Sequence, residues 1–210
     1  AFTCLSYPGI LPGNGPAANA AGLVLTTNYI ASTNWRIGVP RYFLDRAVLA
    51  ARNLDEAVRI ACHPQRAFAF HFNLASATEK RILSVETSLD QQAVWEVTGL
   101  YVHTNHLVLA ATRDAPQDPD YVGSSSTSRY RVLSAWREGV LADLDRVDRS
   151  SLVSALSSHQ GKPYSPCRHP AGSVTGQTLA TSLFDLSART WTLTPGNPCR
   201  TEAHQMVWPS

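Results

Sequence analysis

Apolar and polar positions fall into two rhythms along this chain, and the rhythms come in blocks. Residues 1–7 read as a short strand. Turn formers follow over 8–16, where Pro8, Gly9, Pro12, Gly13, Gly15 and Pro16 crowd together. Residues 22–30 are apolar and β-branched, a second strand. The period then changes. Pro40 suits a first helical position, and Phe43, Ala47, Leu49 and Ala50 recur at three-and-four spacing. Asn53 interrupts that run before a second helix over 54–61, with Asp55 and Glu56 in its first turn and Pro64 beyond its end.

Period two returns at 67–74, where Phe68, Phe70 and Phe72 share a face and His71 falls on the other as a structural residue. Further strands are expected at 81–87, 93–97 and 100–103. The polar stretch 115–128 reads as a mobile loop, and Ser128 as the cap of a helix over 129–141 that turns Val132, Ala135 and Trp136 to the core. A shorter helix over 152–156 and a hairpin of 178–186 with 189–193 follow. The Pro-rich end, 195–210, is expected to be irregular. Strands and helices in separate blocks predict an α+β fold, with two mostly antiparallel sheets face to face and helices outside. Neither a repeat nor a linker divides the chain, so residues 1–210 are expected to form a single domain.

Composition narrows the function classes. The chain of 210 residues is 44% hydrophobic and 16% charged, with a net charge of +2 and no basic cluster, which argues against nucleic-acid binding. No apolar run reaches the about 20 residues of a membrane-spanning helix. The first residues carry no signal-peptide pattern, and the absent initiator Met fits a processed chain. A cytoplasmic protein without membrane partners is expected.

The four cysteines, Cys4, Cys62, Cys167 and Cys199, match no zinc spacing. They read as free thiols, or with Cys167 and Cys199 as a disulfide pair. The histidines are scattered, so no metal site is expected.

Two motifs can carry chemistry. His103-Thr104-Asn105-His106 ends an expected strand, where the Asn105 amide either donates into an oxyanion hole or satisfies a turn. Tyr164-Ser165-Pro166-Cys167-Arg168-His169-Pro170 brackets a guanidinium and a Cys/His pair between prolines. Here Cys167 with His169 could be a catalytic pair, and Arg168 could clamp a carboxylate or lie on a structured surface loop.

A series of segments adds a resemblance. Asn19-Ala20-Ala21-Gly22-Leu23 with Asn28, Arg36 to Arg41, Val102-His103-Thr104-Asn105-His106, Pro163-Tyr164-Ser165-Pro166-Cys167-Arg168, Thr178-Leu179 and Phe184-Asp185 follow one another over residues 6–199. The series resembles the acyl-coenzyme A:6-aminopenicillanic-acid acyltransferase family of N-terminal-nucleophile hydrolases, which includes hydrolases of β-alanyl amines. The resemblance implies an αββα sandwich and amide hydrolysis or acyl transfer, without metal or organic cofactor, on a small acyl-amine or acyl-CoA substrate. It places Asn105 in the oxyanion hole and Arg168 at the catalytic centre. His103 and Tyr164, in the same two motifs, are candidate substrate-binding residues.

The family's nucleophile is a Cys at the start of the large subunit, and this chain departs from that pattern. Ala1 has no nucleophilic side chain, and Cys4 has no α-amine to serve as its base. The expected partner is therefore an N-terminal fragment carrying that Cys, since a sheet lacking its first strands would expose apolar edges. The alternative is a non-catalytic binding or assembly subunit that keeps the fold. The loops at 8–16 and 115–128 are expected to flank the site entrance.

Overall fold

The computed structural model describes residues 1–144 and 147–209. Its larger sheet is a meander of six antiparallel strands in chain order: β1 (Phe2–Cys4), β2 (Ala17–Asn19), β3 (Leu23–Tyr29), β4 (Phe70–Ser76), β5 (Arg81–Thr87) and β6 (Gln92–Glu96). A smaller antiparallel sheet holds β7 (Ala180–Asp185), β8 (Thr190–Pro195) and β9 (His204–Met206).

The period-two pattern decides what each face of the larger sheet meets. Leu23, Leu25, Phe70, Phe72, Leu74, Leu83 and Val85 all point one way. They pack on α1 (Arg41–Val48) and α2 (Leu54–Ala61), which supply Val48, Leu54, Ala57 and Ala61. Burying each large aliphatic or aromatic side chain stabilises the fold by about 1.5–3 kcal/mol. Asn53 caps α2, its Oδ1 accepting the Glu56 N–H at 2.8 Å. On the opposite face the small residues Ala18, Val24 and Ala75 leave room for Phe184, Leu186 and Trp208, so the two sheets meet there. That inner face also carries a polar group: Asn28, His71, Asn73, Ser84 and Glu86 alternate with the core residues along β3, β4 and β5.

Several local expectations are corrected. Residues 115–128 are largely helical, not a loop. Asp118 caps the chain by accepting from the N–H groups of Asp120 and Tyr121, and Pro119 takes the first helical position of α3 (Pro119–Tyr121). A π-helical turn over Val122–Ser126 leads straight into α4 (Thr127–Val140), so Ser128 lies inside a helix and caps nothing. No residue of α4 is fully buried, and Ala135 is exposed. Residues 100–103 join no sheet; the Tyr101 and His103 side chains bond instead to Ser84 and Glu86 of β5. The last helix, α5 (Arg149–Leu156), starts earlier than 152, at an Asp148 cap. Two short strands, β2 and β9, carry too few residues to show a period. Ser210, the end of the segment read as irregular, lies outside the described residues.

Candidate functional site

Glu86 organises the segment that carries the first motif. It is on the inward face of β5, fully buried. Its carboxylate accepts from His103 Nε2 at 2.8 Å, from the N–H groups of Val108 at 2.8 Å and Leu109 at 3.0 Å, and from the Thr112 hydroxyl. Residues 103–112 thus wrap around one charge. Burial alone would raise the Glu86 carboxyl, but the bonds from His103, Thr112 and Val108 together hold it below its ordinary value. The other nitrogen of His103 lies 2.8 Å from the Thr104 carbonyl oxygen. Both ring nitrogens are therefore engaged, one by a carboxylate and one by a backbone carbonyl.

His103 stacks on His71 with centroids 3.4 Å apart. Burial, and then the charge of His103, drive the His71 pKa well down. His71 bonds Asn28 Oδ1 at 2.7 Å and Ser84 Oγ at 2.9 Å. The structural role expected for His71 is what its surroundings give it. His103 differs from expectation: its side chain is 2% exposed and fully engaged, so it supports the motif from behind and has no surface to offer a substrate.

Two residues further on, Asn105 is fixed at three points. Its backbone N–H donates to Ser126 Oγ at 2.7 Å. Its Nδ2 donates to the Tyr29 carbonyl at 2.9 Å, and its Oδ1 accepts from Arg129 Nη2 at 2.7 Å. Ser126 Oγ also meets Thr104 Oγ1 at 3.0 Å and His106 Nδ1 at 2.8 Å, which ties the π-helical turn to the motif.

Asn105, Tyr164 and Arg168 line one cavity of about 440 Å³, together with Tyr121, Ser125 and Arg129. Two sequence-distant motifs therefore meet. Arg168 Nη2 donates to Ser125 Oγ, its guanidinium carbon lies 5.4 Å from the Tyr164 ring centroid, and Arg129 Nε donates to the Ser125 carbonyl at 3.2 Å. Burial, then the neighbouring charge of Arg168, lower the Arg129 pKa to about 10. Among the described residues no carboxylate pairs with either guanidinium. The cavity is thus cationic, aromatic on one side, and lined by an anchored amide. Residues 115–128 supply Tyr121, Ser124 and Ser125 to its wall, whereas none of 8–16 lines it; Gly13 packs instead against the backbone of Asp45 and Arg46.

Sequence reading missed Arg129, Ser125 and Glu86. Arg129 read only as the first residue of a helix; in the structure it follows the π-helical turn and reaches Asn105. Glu86 carried a legible signal, the one carboxylate within β5, on its inward face beside Ser84. No metal spacing is visible in the sequence, because the candidate cluster is assembled from distant segments. Among the described residues, His159, Cys167, His169 and Cys199 bring their ligand atoms within 4.8 Å of one another. The sulfurs of Cys167 and Cys199 are 3.6 Å apart, as free thiols rather than the alternative disulfide.

Fold and cavity together define the class: an α+β protein of two antiparallel sheets whose inter-sheet polar layer supports a cationic, amide-lined cleft. The chain belongs to the acyl-coenzyme A:6-aminopenicillanic acid acyl-transferase family, which it matches over residues 1–200. It is also 30% identical, over 97% of its length, to the beta-alanyl-dopamine/carcinine hydrolase of Drosophila melanogaster. It spans about half the length of that relative, 54%. No helix among the described residues is long and apolar enough to cross a membrane.

Proposed function

We propose that this chain is a subunit of an amide-bond hydrolase or N-acyltransferase that works through a Cys nucleophile on a separate or N-terminal segment. The observation that carries the reading is the Asn105 amide. Its orientation is fixed, because Arg129 donates to its oxygen and its nitrogen donates to Tyr29. An amide nitrogen has two hydrogens. One is engaged, and the other is free to meet an oxygen that becomes negative. Family membership and the relative's name, a hydrolase, support the same reaction class.

The chemistry follows the usual acyl-transfer sequence. The thiolate sulfur attacks the substrate carbonyl carbon, and the C=O π pair moves onto oxygen, where the Asn105 N–H donates. Collapse breaks the C–N bond, the amine leaves with a proton, and the acyl group stays as a thioester. Water or an acceptor amine then attacks the thioester and returns the thiol. Arg129 and Arg168 hold an anionic group of the acyl-amine or acyl-CoA substrate, for which the cavity has no carboxylate of its own.

The test uses the full-length protein and a panel of N-acyl amines. Asn105→Ala is expected to lower kcat by about 10²–10³-fold, the usual effect of one oxyanion donor, with little change in KM. Mass spectrometry of a quenched reaction should find the acyl group on a Cys outside this chain. A full-length protein that binds acyl-amines but turns none over, with Asn105→Ala indistinguishable from wild type, would leave a binding or assembly role instead.

A further inference from the structure

Away from that cavity, four side chains from three segments converge on one point. His159 follows α5, Cys167 and His169 lie on the Pro-bracketed loop, and Cys199 follows β8. The distances are 3.6 Å from Cys167 Sγ to Cys199 Sγ, 3.5 Å and 3.3 Å from those sulfurs to His169 Nε2, and 3.2 Å from His169 Nε2 to His159 Nε2. Zinc–sulfur bonds of about 2.3 Å and zinc–nitrogen bonds of about 2.0–2.1 Å in a tetrahedron give edges of about 3.8 Å between sulfurs, 3.6 Å between sulfur and nitrogen, and 3.3 Å between nitrogens. Four of the six edges of such a tetrahedron follow that order and lie within about 0.3 Å of those lengths, and the two from His159 to the sulfurs stay within 4.8 Å. Hydrogen bonding explains any one contact, but it gives no reason for two thiols and two imidazoles to share a centre.

We propose that His159, Cys167, His169 and Cys199 form a structural zinc site. The donor set selects for it: two soft thiolates and two imidazoles, with no carboxylate, suit zinc and not calcium or magnesium. Binding replaces the two thiol protons, which pass to solvent, with bonds to one cation. The surroundings support the thiolates. Asn197 Nδ2 donates to Cys167 Sγ at 3.4 Å and to the Arg168 carbonyl at 2.6 Å, and the Cys167 N–H donates to the Ser158 carbonyl at 3.0 Å.

The site also has a structural consequence. Arg168 sits between two of the ligands, so a metal there ties the end of α5, the Arg168 loop and the β8–β9 connection together. It would hold the Arg168 guanidinium over the cavity without touching substrate.

Metal analysis of the full-length protein tests this. Protein expressed with zinc and dialysed against metal-free buffer is expected to carry one zinc per chain. A Cys167→Ser/Cys199→Ser variant should carry none, and a Cys4→Ser/Cys62→Ser variant should keep it. Because the first variant can fail to fold, a second measurement uses wild type alone. Cobalt(II) exchanged into the protein should show the visible bands and thiolate charge transfer of a tetrahedral Cys2His2 centre, and a chelator should lower the melting temperature. Metal-free wild type with Cys167 and Cys199 in a disulfide overturns the proposal, as does an octahedral cobalt spectrum. Neither result depends on whether the protein hydrolyses amides.

Discussion

Glu86 and Asp45 are both fully buried carboxylates, one behind the cavity and one on α1, and they end in opposite states. Glu86 has four donors and stays ionised below its ordinary range. Both oxygens of Asp45 lack a hydrogen-bond partner among the described residues. Burial raises its pKa to about 7, against a smaller pull from Arg41. Burial is the same for both, so the partners decide the charge. The contrast lies in what each buried group does for the fold. Around Glu86 the charge orders ten residues, 103–112, into the shape that presents Asn105; at Asp45 it orders nothing.

The comparison breaks most visibly at Glu86. Glu86→Ala removes the acceptor from His103, Thr112 and two backbone N–H groups, and should destabilise the full-length protein by about 3–5 kcal/mol, as for one half of a buried pair. Urea unfolding measures it. Turnover should fall with it, because the Asn105 segment loses its anchor. An unchanged urea midpoint would show that the loop is held elsewhere.

Next in size, Arg168→Lys should raise KM for a carboxylate-bearing substrate by about 1.5–3 kcal/mol in binding, the worth of a hydrogen bond to a charged group. A point charge cannot meet Ser125 and an anion in one plane. Matched KM values for a substrate and its neutral carboxamide would remove the anion site from the argument.

The same polar layer should make the protein acid-labile. The His71 pKa is depressed in the folded state, so below the ordinary value of 6.5 the unfolded chain binds a proton that the folded chain refuses. Glu86, also depressed, adds to this at lower pH: its contribution is complete above its ordinary carboxylate value and is lost as pH falls through the folded one. Urea midpoints should therefore drop as pH falls below about 6.5, and the drop from His71 should be weaker in His71→Gln.

The parts of this fold that follow a simple period were readable from the chain. The Phe70/Phe72 face, the inward His71 and the α2 start at Asn53 all rest on spacing or a local cap. The site was legible in its motifs, Asn105 and Arg168, and not in its connections. Arg129 reaches Asn105 from a helix that follows a π turn, and no residue pattern announces that turn. The Cys/His cluster joins residues whose separations in sequence carry no motif, since the chain closes it through two different loops. His103 misled for the opposite reason: a histidine beside a motif reads as exposed chemistry, and here a carboxylate from a neighbouring strand claims it.

The smallest expected effect sharpens the Asp45 side. Its folded pKa of about 7 lies above the ordinary 3.8, so between those values the folded chain holds a proton that the unfolded chain has released. Stability from this group is complete below the lower value and declines as pH rises through the window. Above it, the carboxylate must be buried charged and unpartnered. Asp45→Asn keeps the shape and removes the titration. It should raise unfolding stability at pH 8 by about 1–3 kcal/mol, the cost of an unsatisfied buried group, and change it little at pH 4. Urea midpoints of both proteins at the two pH values decide the matter. A variant that is less stable at pH 8 would mean that donors from another part of the full-length protein reach Asp45, and then the two carboxylates would be alike after all.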